Sequence, residues 1–151
     1  MAEAADPASL ASLASLVDGE PDLVANLANI TAVVHDAMPK ASWVGFYIRR
    51  GDELVLGPFQ GKVACVRIAI GKGVCGTAAA ERRTIVVPDV AAFPGHIACD
   101  PGSKSEIVVP IVHRGEVVAV LDLDSYEPAA FDDHDAELLG RVAELAATLR
   151  W

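Results

Sequence analysis

Hydrophobic positions change period four times along the chain. Leu23, Leu27, Ile30 and Val34 recur at helical spacing, and Pro21 precedes them where a first turn would start. A shorter helical pattern runs from Ser9 to Val17. The run SWVGFYIRR, residues 42–50, then turns β-branched and aromatic and stops at Gly51-Asp52, a turn signal. ELVLGPFQ and ACVRIAI read as further strands, the second with Cys65 inside it. In GKGVCGTAAAERR the glycines break the strand, and a short helix is predicted from Thr77 to Arg83. TIVVPDV is a brief strand, and a long polar loop fills 93–106. IVVPIVH and EVVAVLDLDS are strong strand patterns joined at His113-Arg114-Gly115. A last helix starts near Asp133, with Leu138, Leu139, Val142, Leu145, Ala146 and Leu149 as its apolar stripe.

This order is not regular βαβ alternation. It predicts an α+β domain: a central antiparallel sheet, helices packed on one side, and an N-terminal helical segment over residues 1–40. At 151 residues the chain fits one domain, 1–151, with residues 41–151 supplying the sheet, the loops and the C-terminal helix.

Composition narrows the function. Hydrophobic residues make up 52%, so the chain is globular, and the formal net charge is −9. That charge argues against a sequence-independent grip on nucleic acid and gives no attraction to anionic lipid. No apolar stretch has membrane-spanning length. The opening MAEAADPASLASLASL lacks a signal peptide's basic region and a transit peptide's arginines, so a cytoplasmic protein is expected. Three cysteines cannot all pair within one chain, which in a reducing compartment points to buried, metal-bound or redox-active thiols.

Two strands carry unusual faces. In EVVAVLDLDS, Val117, Ala119, Leu121 and Leu123 alternate with Val118, Val120, Asp122 and Asp124. Aspartate is depleted in strands. Two on one face fit either a strand entering a polar cavity or a sheet emerging into solvent. On residues 42–50, Trp43, Gly45 and Tyr47 share a face that is either ordinary core or the wall of a small apolar pocket.

The cysteines differ in setting. Cys75 follows Gly71 and Gly73 near a helix start, where free N–H groups would favour thiolate. Cys99 lies in the loop near His96 and Lys104, whose positive charge would lower its pKa, opposed by Asp100 and Glu106. Local chemistry does not choose between them as nucleophile, although access favours Cys99. No CxxC occurs, so structural zinc and a thioredoxin-type motif lack support, and His96 with Cys99 offers only two metal ligands. GKGVCG lacks the spacing of a phosphate-binding loop.

Taken together, WVGFYI, LVLGPFQGKVAC, GKGVCG, VPDVAAFPGHIACDPGSKSEIVVP and VLDLDS resemble, in order from Trp43 to Asp135, the free methionine-(R)-sulfoxide reductases. These are single GAF-domain enzymes. The resemblance implies that Cys99 is the catalytic cysteine, Cys65 the principal resolving cysteine and Cys75 a third that can join recycling. It places Glu106, Asp122 and Asp124 in an acidic substrate pocket with Trp43 and Tyr47 as aromatic walls. Glu106 or Asp122 would be the proton donor and Asp124 would hold the substrate ammonium. The implied reductant is thioredoxin or another external dithiol, with no bound cofactor and no metal. A homodimer through the N-terminal helices is also implied. A GAF-type sensory module is the rival reading, but a plain ligand sensor needs no resolving thiol.

Overall fold

A computed structural model describes residues 6–151 of the chain. Residues 1–5, the start of the expected N-terminal helical segment, lie outside the described residues. Two short helices, α1 (Pro7–Ala11) and α2 (Leu13–Val17), lead into the long α3 (Leu23–Ala37). The sheet strands are β1 (Trp43–Arg50), β2 (Glu53–Gln60), β3 (Arg67–Ala69), β4 (Ile85–Val87), β5 (Ser105–His113) and β6 (Glu116–Ser125). Helix α4 (Gly73–Glu81) lies between β3 and β4, and α5 (Asp133–Ala147) closes the fold. The strands form one antiparallel sheet in the order β3-β2-β1-β6-β5-β4.

The two faces of the sheet bury different things. Phe46, Ile107, Leu121 and Leu123 point to one face, where Leu27, Ile30 and Val34 of α3 and Leu139 and Val142 of α5 pack on them. Asp22 starts α3 by accepting a hydrogen bond from the Ala25 N–H at 2.8 Å. Asp132 and Asp135 form a reciprocal capping box at the start of α5. Asp135 also receives Lys40 Nζ at 2.5 Å, and both side chains are almost fully buried. Lys40 further lies 5.8 Å from the centre of the Phe131 ring. Its carbonyl accepts from Ser125 Oγ at 2.7 Å, tying the entry to β1 to the end of β6.

The opposite face buries Trp43, Tyr47, Val108 and Val120 with Val74, Cys75, Ala78 and Ala79 of α4. The expectation of helices on one side therefore holds for the long helices, while α4 covers the other face. Helix α4 also begins earlier than Thr77, at Gly73. Close packing outweighs the poor helix propensity of glycine here. A Cβ on Gly76 would run into the Ala69 carbonyl oxygen, so only glycine lets α4 lie flat against β3.

Two further expectations change. Cys65 is not in a strand: only Arg67–Ala69 pair with β2, and residues 61–66 form an irregular loop. The carbonyls of Lys62 and Cys65 are taken instead by the Trp43 indole and the Tyr47 hydroxyl. The alternation in β6 also breaks near its start. A register shift sets Val112 opposite Val117 while Ile111 stays opposite Ala119. That bulge moves Val117 to the α4 face and lays Val118 against the core under the long helices.

Candidate active site

Three strands place the acidic and aromatic residues by register. Trp43 of β1 lies opposite Asp124 of β6, and Asp124 lies opposite Glu106 of β5. The next row on the same face is Gly45, Asp122 and Val108. Directly opposed residues project to the same side of a sheet, so the three carboxylates meet over the α4 face. They line one pocket with Trp43, Tyr47 and Cys75, and Cys99 lines it from the loop. The strand bearing two aspartates thus enters a cavity and not solvent.

The aromatic wall depends on the gap at Gly45. A Cβ there would collide with the Trp43 ring and with Phe59. Trp43 stacks on Phe59 at 5.3 Å and on Tyr47 at 5.9 Å between ring centres. Their polar ends hold the neighbouring loop: Trp43 Nε1 donates to the Lys62 carbonyl at 3.0 Å, and the Tyr47 hydroxyl to the Cys65 carbonyl at 2.9 Å. Burial, then the charge of Asp122, keeps the Tyr47 phenol protonated for that role.

Burial dominates the electrostatics of the acids. It pushes Glu106 well above the ordinary carboxylate range, and the neighbouring charges of Asp122 and Asp124 push the same way. Asp124 is raised well above that range by burial and by the charges of Asp122 and Asp100. Burial raises Asp122 too, but hydrogen donation from Glu106, Cys75 and Asp124 opposes it, so Asp122 is the member best able to hold the negative charge. Its Oδ1 is buried with no hydrogen-bond partner.

Cys75 sits in the first turn of α4, yet it is not poised as a thiolate. Burial and then the charges of Asp122 and Glu106 push its thiol well up, overriding the helix start. Its Sγ lies 3.9 Å from Glu106 Oε2. Among the described residues, Cys75, Glu106 and Asp122 form the group with ligand atoms close enough for a metal ion, within 4.8 Å of one another. It lies inside the same pocket.

Cys99 is joined to Cys65 by a disulfide across 34 positions, with Cα atoms 5.5 Å apart. Both partners lie on loops. Cys99 faces the pocket and Cys65 does not line it. His96 Nε2 lies 3.8 Å from Glu106 Oε1, but burial lowers its pKa, which removes the cation expected beside Cys99. One participant was missed in the sequence: Tyr126, just past β6, whose hydroxyl reaches Asp100. A lone aromatic after LDLDS carries no signal of a partner 26 positions upstream.

A sequence profile of the GAF domain matches residues 22–149. The chain is 47% identical over 136 residues to the free methionine-R-sulfoxide reductase of Escherichia coli (strain K12), covering 89% of this chain and 82% of that protein. The chain belongs to the free methionine-R-sulfoxide reductase family. This reductase-family fold superposes on the reduced form of fRMsr of Staphylococcus aureus with a TM-score of 0.93 at 47% identity, covering 97% of this chain and 96% of that one. The free methionine-R-sulfoxide reductase of Neisseria meningitidis, solved in complex with its substrate, gives a TM-score of 0.90 at 48% identity, covering 97% of this chain and 92% of that one. Among the described residues of this reductase-family chain, no helix is long and apolar enough to cross a membrane.

Proposed function

We propose that this enzyme reduces free L-methionine-(R)-sulfoxide to methionine, with Cys99 as the nucleophile. The observation that carries the reading is the Cys65–Cys99 bond at a pocket holding three carboxylates, two of them buried, and two aromatic rings. The Cys99 thiolate attacks the sulfoxide sulfur while Glu106, held protonated by burial, gives its proton to the oxygen. The oxygen passes to the Cys99 sulfur and methionine leaves, so the substrate sulfur gains two electrons and Cys99 becomes a sulfenic acid. Cys65 then displaces water and forms the disulfide.

Asp122, the acid of the three best able to hold a negative charge, takes the substrate ammonium. Asp124, raised well above the ordinary range, stands beside it as a neutral hydrogen-bonding neighbour. This reverses the expected division between the two aspartates. Trp43 and Tyr47 wall the thioether chain with aromatic faces, which sulfur favours. Cys75, held as a thiol, is a slow attacker and serves as a reserve in recycling.

Thioredoxin, or another external dithiol, reduces the Cys65–Cys99 bond in a reducing compartment such as the cytoplasm. The test is racemic free methionine sulfoxide with dithiothreitol and chiral separation of what remains. Selective loss of the R epimer, abolished by Cys99→Ser, is expected. Loss of neither epimer by folded, reduced protein would leave the pocket a binding site without turnover.

A further inference from the structure

The pocket holds a third cysteine that the disulfide leaves out. Cys75 is 4% exposed, on the first turn of α4, where the helix packs on the sheet with Val108 and Val120. The two bonded cysteines hang on loops, whereas Cys75 is seated in packed core. Burial keeps its proton in place, so it stands among the acids as a neutral S–H donor. That S–H donates to Glu106 Oε2, with Sγ 3.9 Å away and both side chains buried. The other carboxyl oxygen, Oε1, lies on the side of the Cys99 loop, 3.8 Å from His96 Nε2.

We propose that Cys75 is a positioning residue for the reduction: by donating to Oε2 it leaves the transferable proton of Glu106 on Oε1, facing the loop of the nucleophile. This rests on the reductase reading above, in which Glu106 gives its proton to the sulfoxide oxygen, and it goes beyond the reserve part in recycling. A neutral carboxylic acid has one oxygen that carries the proton and one that accepts. A donor fixed at Oε2 makes that oxygen the acceptor and so decides where the proton sits. An ionised thiol has no proton to give. The burial that makes Cys75 a poor nucleophile is therefore what fits it for this role.

The other groups around Glu106 are committed elsewhere. The Tyr47 hydroxyl is spent on the Cys65 carbonyl and the Trp43 indole on the Lys62 carbonyl. His96 stands on the Oε1 side, beyond hydrogen-bond distance. Asp122 and Asp124 of β6 act on Glu106 by their charge, which favours its neutral form. Asp122 is the thiol's other acceptor, so the one S–H braces both the acid and the residue that takes the ammonium. Donation to a carboxyl group favours its charged form, so losing the thiol raises Glu106 further.

The experiment uses enzyme reduced with dithiothreitol, freed of it, and mixed with excess free methionine sulfoxide, so that methionine forms once without recycling. Cys75→Ala should form it about ten-fold more slowly at saturation, with the half-saturating substrate concentration little changed and the alkaline limb of the rate moved to higher pH. Cys75→Ser restores a donor and should recover most of the rate and the wild-type limb. In a Glu106→Gln background, Cys75→Ala should add no further loss, because the proton it aims is already gone. A Cys75→Ala enzyme as fast as wild type in this single turnover, even if slow in repeated turnover with dithiothreitol, overturns the proposal and leaves Cys75 to recycling alone. Equal losses in Cys75→Ala and Cys75→Ser with an unmoved limb, or full additivity with Glu106→Gln, overturn it as well. Wild type that forms no methionine removes the reductase reading, and the proposal with it.

Discussion

The Tyr126 hydroxyl donates to Asp100 Oδ2 at 2.6 Å, fastening the loop that carries Cys99 to the end of the strand that carries Asp122 and Asp124. The same ring faces Lys62, whose Nζ lies 5.6 Å from its centre, so one side chain touches both cysteine-bearing loops. The hydroxyl and the Gly102 N–H hold Asp100 below the ordinary carboxylate range. The link therefore persists as pH falls, until Asp100 takes its proton.

Tyr126→Phe removes the donor and keeps the ring. The Cys99 sulfenic acid should then last several-fold longer before Cys65 closes on it, and a 1,3-dione should capture more of it. Melting should fall by no more than about 3 °C, since a half-exposed hydrogen bond contributes only about 1 kcal/mol. Equal capture in variant and wild type would leave Tyr126 without a part in loop closure.

Glu106→Gln should lower kcat about 10²–10⁴-fold while substrate KM changes little, the signature of a lost proton donor. Wild-type kcat should fall as pH rises through the raised value of Glu106, because the acid form is lost. The variant should lack that limb. A parallel pH profile in both proteins would move the donor role to another acid.

The same substitution should stabilise the fold. Unfolded carboxylates ionise near 4, whereas folded Glu106 keeps its proton to higher pH. The folded state thus binds more protons, and wild-type stability falls as pH rises through that window. Relative to wild type, Glu106→Gln should melt higher at pH 8, with the gap shrinking toward pH 5. Thermal unfolding at the two pH values checks this, and a constant gap would contradict a raised Glu106.

Lys40→Met should cost about 3–5 kcal/mol of unfolding free energy, because it strands the buried Asp135 carboxylate without its cation. Urea unfolding measures the loss. Turnover at a temperature where the variant stays folded should change little, since the pair sits under the long-helix face.

Periodicity carried the frame. The alternating pattern located β1, β2, β5 and β6, and the apolar stripe located α5, because each buries one side chain per repeat of its own geometry. The register that aligns Trp43, Asp124 and Glu106 follows from strand pairing, which no single segment displays. Cys65 was misplaced because its strand-like neighbours give no sign that two aromatics 18 or more positions upstream take its loop's carbonyls. The start of α4 was late because glycine reads as a breaker until the Ala69 carbonyl beneath Gly76 is known. Val117 and Val118 exchanged faces through a bulge that alternation alone cannot reveal.

The sheet insulates its scaffold from its own redox chemistry. Both bonded sulfurs hang from loops on the α4 side, while the layer beneath α3 and α5 contains neither cysteine. Turnover of that bond, as proposed above, acts on two loops outside the packing under the long helices, so repeated oxidation and reduction would spare the part that keeps the chain folded.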